Sequence, residues 1–166
     1  HPERVAISTF EGHFHGRSAA GMAAAGSEKM TKGFGPILGG FTHLPWGDHD
    51  ALRAAVSENT AAILIEPVQG EGGIRPLPDQ CLKGLRDLCD ETGALLILDE
   101  VQCGVGRPRD PLAPARSATA PDILTVHKAL VCRILHAHAR AHARATHRRA
   151  ARPTARPLAV PHPRRA

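Results

Sequence analysis

The chain has 166 residues, enough for one hydrophobic core and too few for several domains. Its net charge of +5 would suit a nucleic-acid partner, yet residues 1–130 hold sixteen acidic against twelve basic residues, and the excess comes from nine arginines in residues 131–166. Four cysteines without a C-x-x-C pair argue against zinc and thioredoxin-type chemistry, and the absence of an apolar run of about 18 residues argues against a membrane span. A soluble cytoplasmic protein is therefore expected. The start at His1-Pro2, without an initiator methionine, reads as that of a fragment.

Residues 4–9 are β-branched and alternating, as in a strand. Phe14-His15-Gly16-Arg17 follows, and the small residues 18–25 predict a helix. Residues 26–47 are rich in Gly and Pro and read as a long loop. Asp48 is placed to cap a helix over 50–57, with Leu52 and Val56 one turn apart on its core side. Residues 61–65 form a strand of the fully buried type, closed by Glu66-Pro67. The glycine loop 69–73 matches neither G-x-G-x-x-G nor G-x-x-x-x-G-K-[ST], so nucleotide-phosphate readings fail on pattern. Residues 79–92 give the clearest helix, with Leu82, Leu85, Leu88 and Cys89 on one face and Gly93 at the C′ position.

Leu95-Leu96-Ile97-Leu98-Asp99-Glu100-Val101-Gln102 organises the rest. Four apolar residues run into two carboxylates and an amide, as in a parallel strand covered on both faces. Ligands in open α/β sheets sit beyond the carboxyl ends of the strands, so Asp99 and Gln102 should stand at the mouth of a site. A buried Asp needs a cationic partner. Residues 123–126 are a further short strand leading to Lys128. Alternating strands and helices define an α/β fold with a mostly parallel sheet.

Lys128 and Asp99 at strand mouths suit pyridoxal phosphate, which needs a Schiff-base lysine and an acidic partner for its ring nitrogen. Arg17 could grip a carboxylate, and Phe14 could stack on a flat ring. Glu66 and Glu71 read as turn residues beside the glycine loop. His136, His138 and His142 lie in a loose His/Ala/Arg tract that offers no fixed geometry, so no metal site is expected.

Phe14-His15-Gly16-Arg17, Glu66-Pro67-Val68-Gln69-Gly70-Glu71-Gly72-Gly73, Leu98-Asp99-Glu100-Val101-Gln102-Cys103-Gly104 and residues 121–130 together resemble the class III aminotransferases. The resemblance covers residues 1–107 and 121–130. It implies part of the large domain of the fold-type I pyridoxal-phosphate-dependent transferases over residues 1–130, and transfer of an amino group from N-acetylornithine to 2-oxoglutarate in arginine biosynthesis. Ornithine, succinyldiaminopimelate and 4-aminobutyrate are alternative donors. It also implies a cytoplasmic homodimer with no specific nucleic-acid or membrane partner. Lys128 matches the catalytic Schiff-base lysine. Asp99 matches the ring-nitrogen partner and Gln102 the partner of the ring oxygen. Phe14 and Val101 match residues on opposite ring faces, and Glu100 stands in the same cofactor-binding run. Arg17 matches the substrate-carboxylate binder, and Glu71 a glutamate that pairs with a distal arginine. A nucleic-acid binder using the arginine tail is the alternative of a different class.

Two stretches depart from the family pattern. Residues 108–120 keep the spacing without the pattern, and residues 131–166 are Ala, Arg, His and Pro with no aromatic residue. Out-of-frame translation would leave such segments. The tail lacks the apolar content to offset chain entropy and is expected to be disordered. The family's phosphate-binding segment would precede His1, so the chain as written is expected to be inactive.

Overall fold

A computed structural model describes residues 3–103, 119–126 and 139–142. Among the described residues, six strands form one sheet in the order β2-β1-β3-β6-β7-β8. They are β1 (Ala6–Phe10), β2 (Phe41–Leu44), β3 (Thr60–Ile65), β6 (Leu95–Glu100), β7 (Ile123–Val126) and β8 (Ala139–His142). The first five run parallel, and β8 is antiparallel to β7. A small hairpin of β4 (Val68–Gln69) and β5 (Arg75–Pro76) sits between β3 and the following helix.

The helices are α1 (Ala19–Ala25), α2 (Glu28–Thr31), α3 (His49–Ala55) and α4 (Asp79–Thr92). Ser18 caps α1 by accepting the Gly21 N–H, and Asp48 caps α3 by accepting the Ala51 N–H at 2.8 Å. Gly93 ends α4 in the left-handed region, φ 73°, where glycine has no steric penalty. Leu82, Leu85, Leu88 and Cys89 of α4 are buried with Leu52 of α3 against Ile63, Ile65, Leu96 and Leu98 of the sheet. Each such leucine contributes about 1.5–3 kcal/mol of burial. On α1, Ala23, Ala24 and Ala25 are buried, and this helix packs against β1 and β2.

Three features differ from the sequence reading. The loop at 26–47 contains α2 and the edge strand β2, which pairs with β1 from Ile7↔Phe41 to Phe10↔Leu44. Pairing with a neighbour supplies what the polar Thr42 and His43 do not signal. Strand β6 is covered unevenly: Leu96 and Leu98 are fully buried, while Leu95, Ile97 and Asp99 are half-buried. The tail composition predicts no order, yet Ala139–His142 joins the sheet as β8. A backbone ladder needs N–H and C=O groups rather than apolar side chains, and this run contains no proline. The rest of the tail, residues 104–118 and Lys128 lie outside the described residues.

The chain enters the sheet at β1, adds β2 on one side, and returns to add β3, β6 and β7 on the other. The order therefore reverses between β1 and β3. Such a switch point leaves a crevice at the carboxyl ends of the strands.

Candidate active site

Three strand ends converge on that crevice. Strand β1 runs into Gly12-His13-Phe14-His15, β3 into Glu66, and β6 ends at Asp99 and Glu100. His15 Nδ1 lies 2.9 Å from Asp99 Oδ2, with the His15 side chain 3% exposed. Asp99 Oδ1 accepts the Val101 N–H at 3.1 Å and the Thr125 hydroxyl at 3.0 Å. Thr125 reaches it because β6 and β7 place the two residues in register. Burial pushes the Asp99 carboxyl up. The hydrogen bond and charge of His15, with the Val101 and Thr125 donors, outweigh that and hold it below its ordinary value. A carboxylate only accepts, so His15 donates from Nδ1, and its buried Nε2 has no partner.

A second histidine walls the crevice with its Nδ1 in the opposite, accepting role. His13 is 3% exposed, and its Nδ1 accepts the Glu66 N–H at 3.3 Å. Burial first, then the neighbouring His15 and Arg75, bring its pKa down to about 3 against the pull of Asp99. His13 is therefore neutral. Its ring packs on Phe10, His15 and Trp46 with centroids 5.7, 5.3 and 5.2 Å apart. Glu66 is 1% exposed, and its Oε2 accepts the Phe14 N–H at 2.9 Å. Burial pushes its carboxyl up, opposed only in part by that N–H.

Glycines set the close approaches. A Cβ on Gly21 would stand 2.7 Å from the His15 carbonyl oxygen, so a small residue lets α1 begin against the His15 segment. A Cβ on Gly70 would stand 2.8 Å from Gln102 Oε1. Gln102 therefore rests on the glycine loop, and its Nε2 is buried without a hydrogen-bond partner. Phe14 and Glu71 line one cavity of about 410 Å³ together with Glu11, Ser27, Met30 and His43.

The sequence-predicted residues thus fall into three groups. Asp99 holds His15 and the Val101 N–H, Gln102 rests on Gly70, and Phe14 and Glu71 line the cavity of about 410 Å³, whose lining does not include Asp99, Val101 or Gln102. Arg17 is exposed, and Glu100 lies on the buried face of β6 with Leu96 and Leu98, opposite Asp99. Lys128 lies outside the described residues; β7 ends two positions before it. His13, His15, Glu66 and Thr125 are the residues that sequence reasoning passed over. Glu66 is no surface turn residue, because the Phe14 segment folds over it. Their contacts join residues far apart in the chain, so no local sequence signal marks them.

Burial holds the Cys103 thiol up at about 11 and that of Cys89 at about 12, so neither supplies a thiolate at neutral pH. No group of His, Cys, Asp or Glu among the described residues could hold a metal ion. What remains is a buried carboxylate held by three donors, a buried amide nitrogen without a partner and a half-buried Phe14 ring.

The family model of class-III aminotransferases matches residues 1–149, and the chain belongs to that family. The acetylornithine aminotransferase of Rhodobacter capsulatus is 62% identical over 129 residues, covering 78% of this chain and 33% of that protein. That of Mesorhizobium japonicum is 55% identical over 130 residues, again 78% and 33%. Among solved structures, the ornithine aminotransferase of Toxoplasma gondii superposes with a TM-score of 0.80 at 30% identity, covering 86% of this chain and 34% of that one. An (S)-enantioselective omega-transaminase from Thermomicrobium roseum gives 0.86 at 26% identity, covering 96% and 40%. The chain spans about a third of the length of the curated relatives it matches.

Proposed function

We propose that this chain carries part of the active site of a pyridoxal-phosphate-dependent transaminase that moves an amino group from N-acetylornithine to 2-oxoglutarate in arginine biosynthesis. The observation that carries the reading is Asp99: a buried carboxylate held by three donors at the carboxyl end of β6, one strand from the reversal. The relatives at 62% and 55% identity bear the acetylornithine name, which favours that donor. One of the superposing structures is described as an amine transaminase in its pyridoxal-phosphate-bound form.

The residues fit this cofactor. Asp99 keeps a lone pair for a ring N–H and, being charged, holds the proton there. Gln102 Nε2, without a partner in the chain, can donate to the ring oxygen. Phe14 and Val101 supply faces for the ring. Lys128 is assigned the amine that holds the cofactor's carbonyl carbon and moves the proton at the substrate carbon. Arg17 and Glu71 are assigned to the substrate carboxylate and to the exchange between the two substrates. When bound, the cofactor supplies an electron sink for the carbon that loses its proton.

The protein is assigned to the cytoplasm as a homodimer. Phe34, Ile37 and Leu38, exposed before β2, offer apolar surface to a second copy. No described helix is long and apolar enough to cross a membrane. Protein expressed from the native gene should form glutamate from 2-oxoglutarate fastest with N-acetylornithine, in a panel with ornithine, succinyldiaminopimelate and 4-aminobutyrate. Preference for another donor would reassign the substrate, and no glutamate with any donor would overturn the reading.

A further inference from the structure

We propose that Cys81 and His49 form a nucleophile–base pair that adds to small, uncharged α,β-unsaturated carbonyl compounds, at a place separate from the crevice around Asp99. His49 is the first residue of α3 and Cys81 the third of α4, so two helix starts bring together residues 32 positions apart. His49 Nε2 lies 3.2 Å from Cys81 Sγ, a contact that lets the thiol donate and the imidazole nitrogen accept. Among the described residues, Cys81 is the cysteine with a histidine nitrogen at that distance. Cys103 is half-buried as Cys81 is, and Cys89 is buried; burial holds these two thiols up at about 11 and about 12. Exposure therefore does not set Cys81 apart from Cys103, whereas the facing base does.

Both side chains border a narrow cleft lined mainly by Phe10, Trp46, Leu52, Leu77 and Leu85, with about 20 Å³ of free space. That is room for about one water-sized group, so the reacting end of the ligand must be small. Apolar walls also make a charged reagent costly to seat. In the addition, the thiol proton passes to His49 Nε2 and the sulfur attacks the β-carbon. The C=C π pair moves toward the carbonyl, and the α-carbon then takes the proton back from His49. One S–H bond and one π bond break, and one S–C and one C–H bond form. Nothing is oxidised, and no further reactant is needed. The negative charge that develops on sulfur during the attack falls in the first turn of the 14-residue α4, whose positive end meets it.

The test uses the protein expressed from its native gene, as wild type and H49Q, with acrylamide as the probe and peptide mapping of the alkylated cysteines. At pH 7, Cys81 should react about tenfold faster than Cys89 or Cys103. H49Q should slow Cys81 about fivefold or more at pH 7 and leave the Cys103 rate unchanged. At about pH 9.5, above the ordinary thiol range, hydroxide removes the proton and the Cys81 rates of the two proteins should meet within about twofold. A Cys81 no faster than Cys103, or an unchanged Cys81 rate in H49Q, would overturn the proposal. Equal slowing at both pH values would also overturn it, because His49 would then act by packing and not as a base. Should H49Q fail to fold, the wild-type imidazole decides: the His49 ring resonances should move when Cys81 is alkylated, and no movement would overturn the pair.

Discussion

Two histidines two residues apart do opposite work. His15 donates from Nδ1 to Asp99, while His13 accepts at Nδ1 from the Glu66 N–H. The second arrangement has a thermodynamic signature. An unfolded histidine takes a proton near 6.5, but native His13 does so only at about 3. Acidification therefore favours the unfolded chain: stability is fully present above about pH 6.5 and is lost as pH falls toward 3, by at most about 1.4 kcal/mol per pH unit. Asp99, depressed in the native state, acts in the same direction at lower pH, and Glu66, raised, acts against it. His13→Asn keeps an acceptor for the Glu66 N–H and removes the titration. Urea unfolding at pH 7 and 4.5 should show a lower stability for this variant at pH 7, from lost packing on Phe10 and Trp46, with a shallower fall between the two. An equally steep fall would contradict the assignment. Neither histidine was legible in the sequence, since His15 and Asp99 are 84 positions apart. Only the fold makes them partners.

At the scale of elements, what was legible is what local rules determine. Helix α4 spans 79–92 as its apolar period and Gly93 indicate, and β7 occupies 123–126. The limits of β6 and the presence of β2 were less legible, because edge position and neighbour pairing decide them. One cross-link shows how the elements are held. Asp122, just before β7, accepts from Arg86 of α4 at 2.8 Å and from the Leu96 N–H of β6 at 2.9 Å. The Asp122 N–H returns to the Leu96 carbonyl, and Arg86 also reaches the Ala120 carbonyl. Burial alone would lower the Arg86 pKa; the Asp122 and Asp90 hydrogen bonds more than reverse that. Asp122→Ala takes one partner from the Arg86 guanidinium and leaves the Leu96 N–H without its acceptor. It should cost about 1–3 kcal/mol in denaturant unfolding, whereas Asp90→Ala, at a side chain itself largely solvent-exposed, should cost under about 1 kcal/mol. Equal losses would mean that the cross-link adds nothing.

For the whole molecule, the account joins a sheet whose order reverses between β1 and β3, a crevice at that reversal, and an ionised Asp99 within it. Among the described residues β8 is the last strand on its side of the sheet, and the family match to residue 149 runs past it. The placing of Asp99 at a strand end was readable from the apolar run before it. The supporting shell of His13, His15, Glu66 and Thr125 was not, because each residue earns its place through a contact across the sheet. The central claim is that this crevice seats pyridoxal phosphate with Lys128 as its covalent partner. The most direct measurement is borohydride trapping of pyridoxal phosphate on the protein expressed from its native gene, followed by peptide mapping. The sequence offers four lysines, Lys29, Lys32, Lys83 and Lys128. The account predicts label on Lys128 at one per chain, sharply reduced in Asp99→Asn. Label spread over all four lysines, or unchanged in Asp99→Asn, would contradict it.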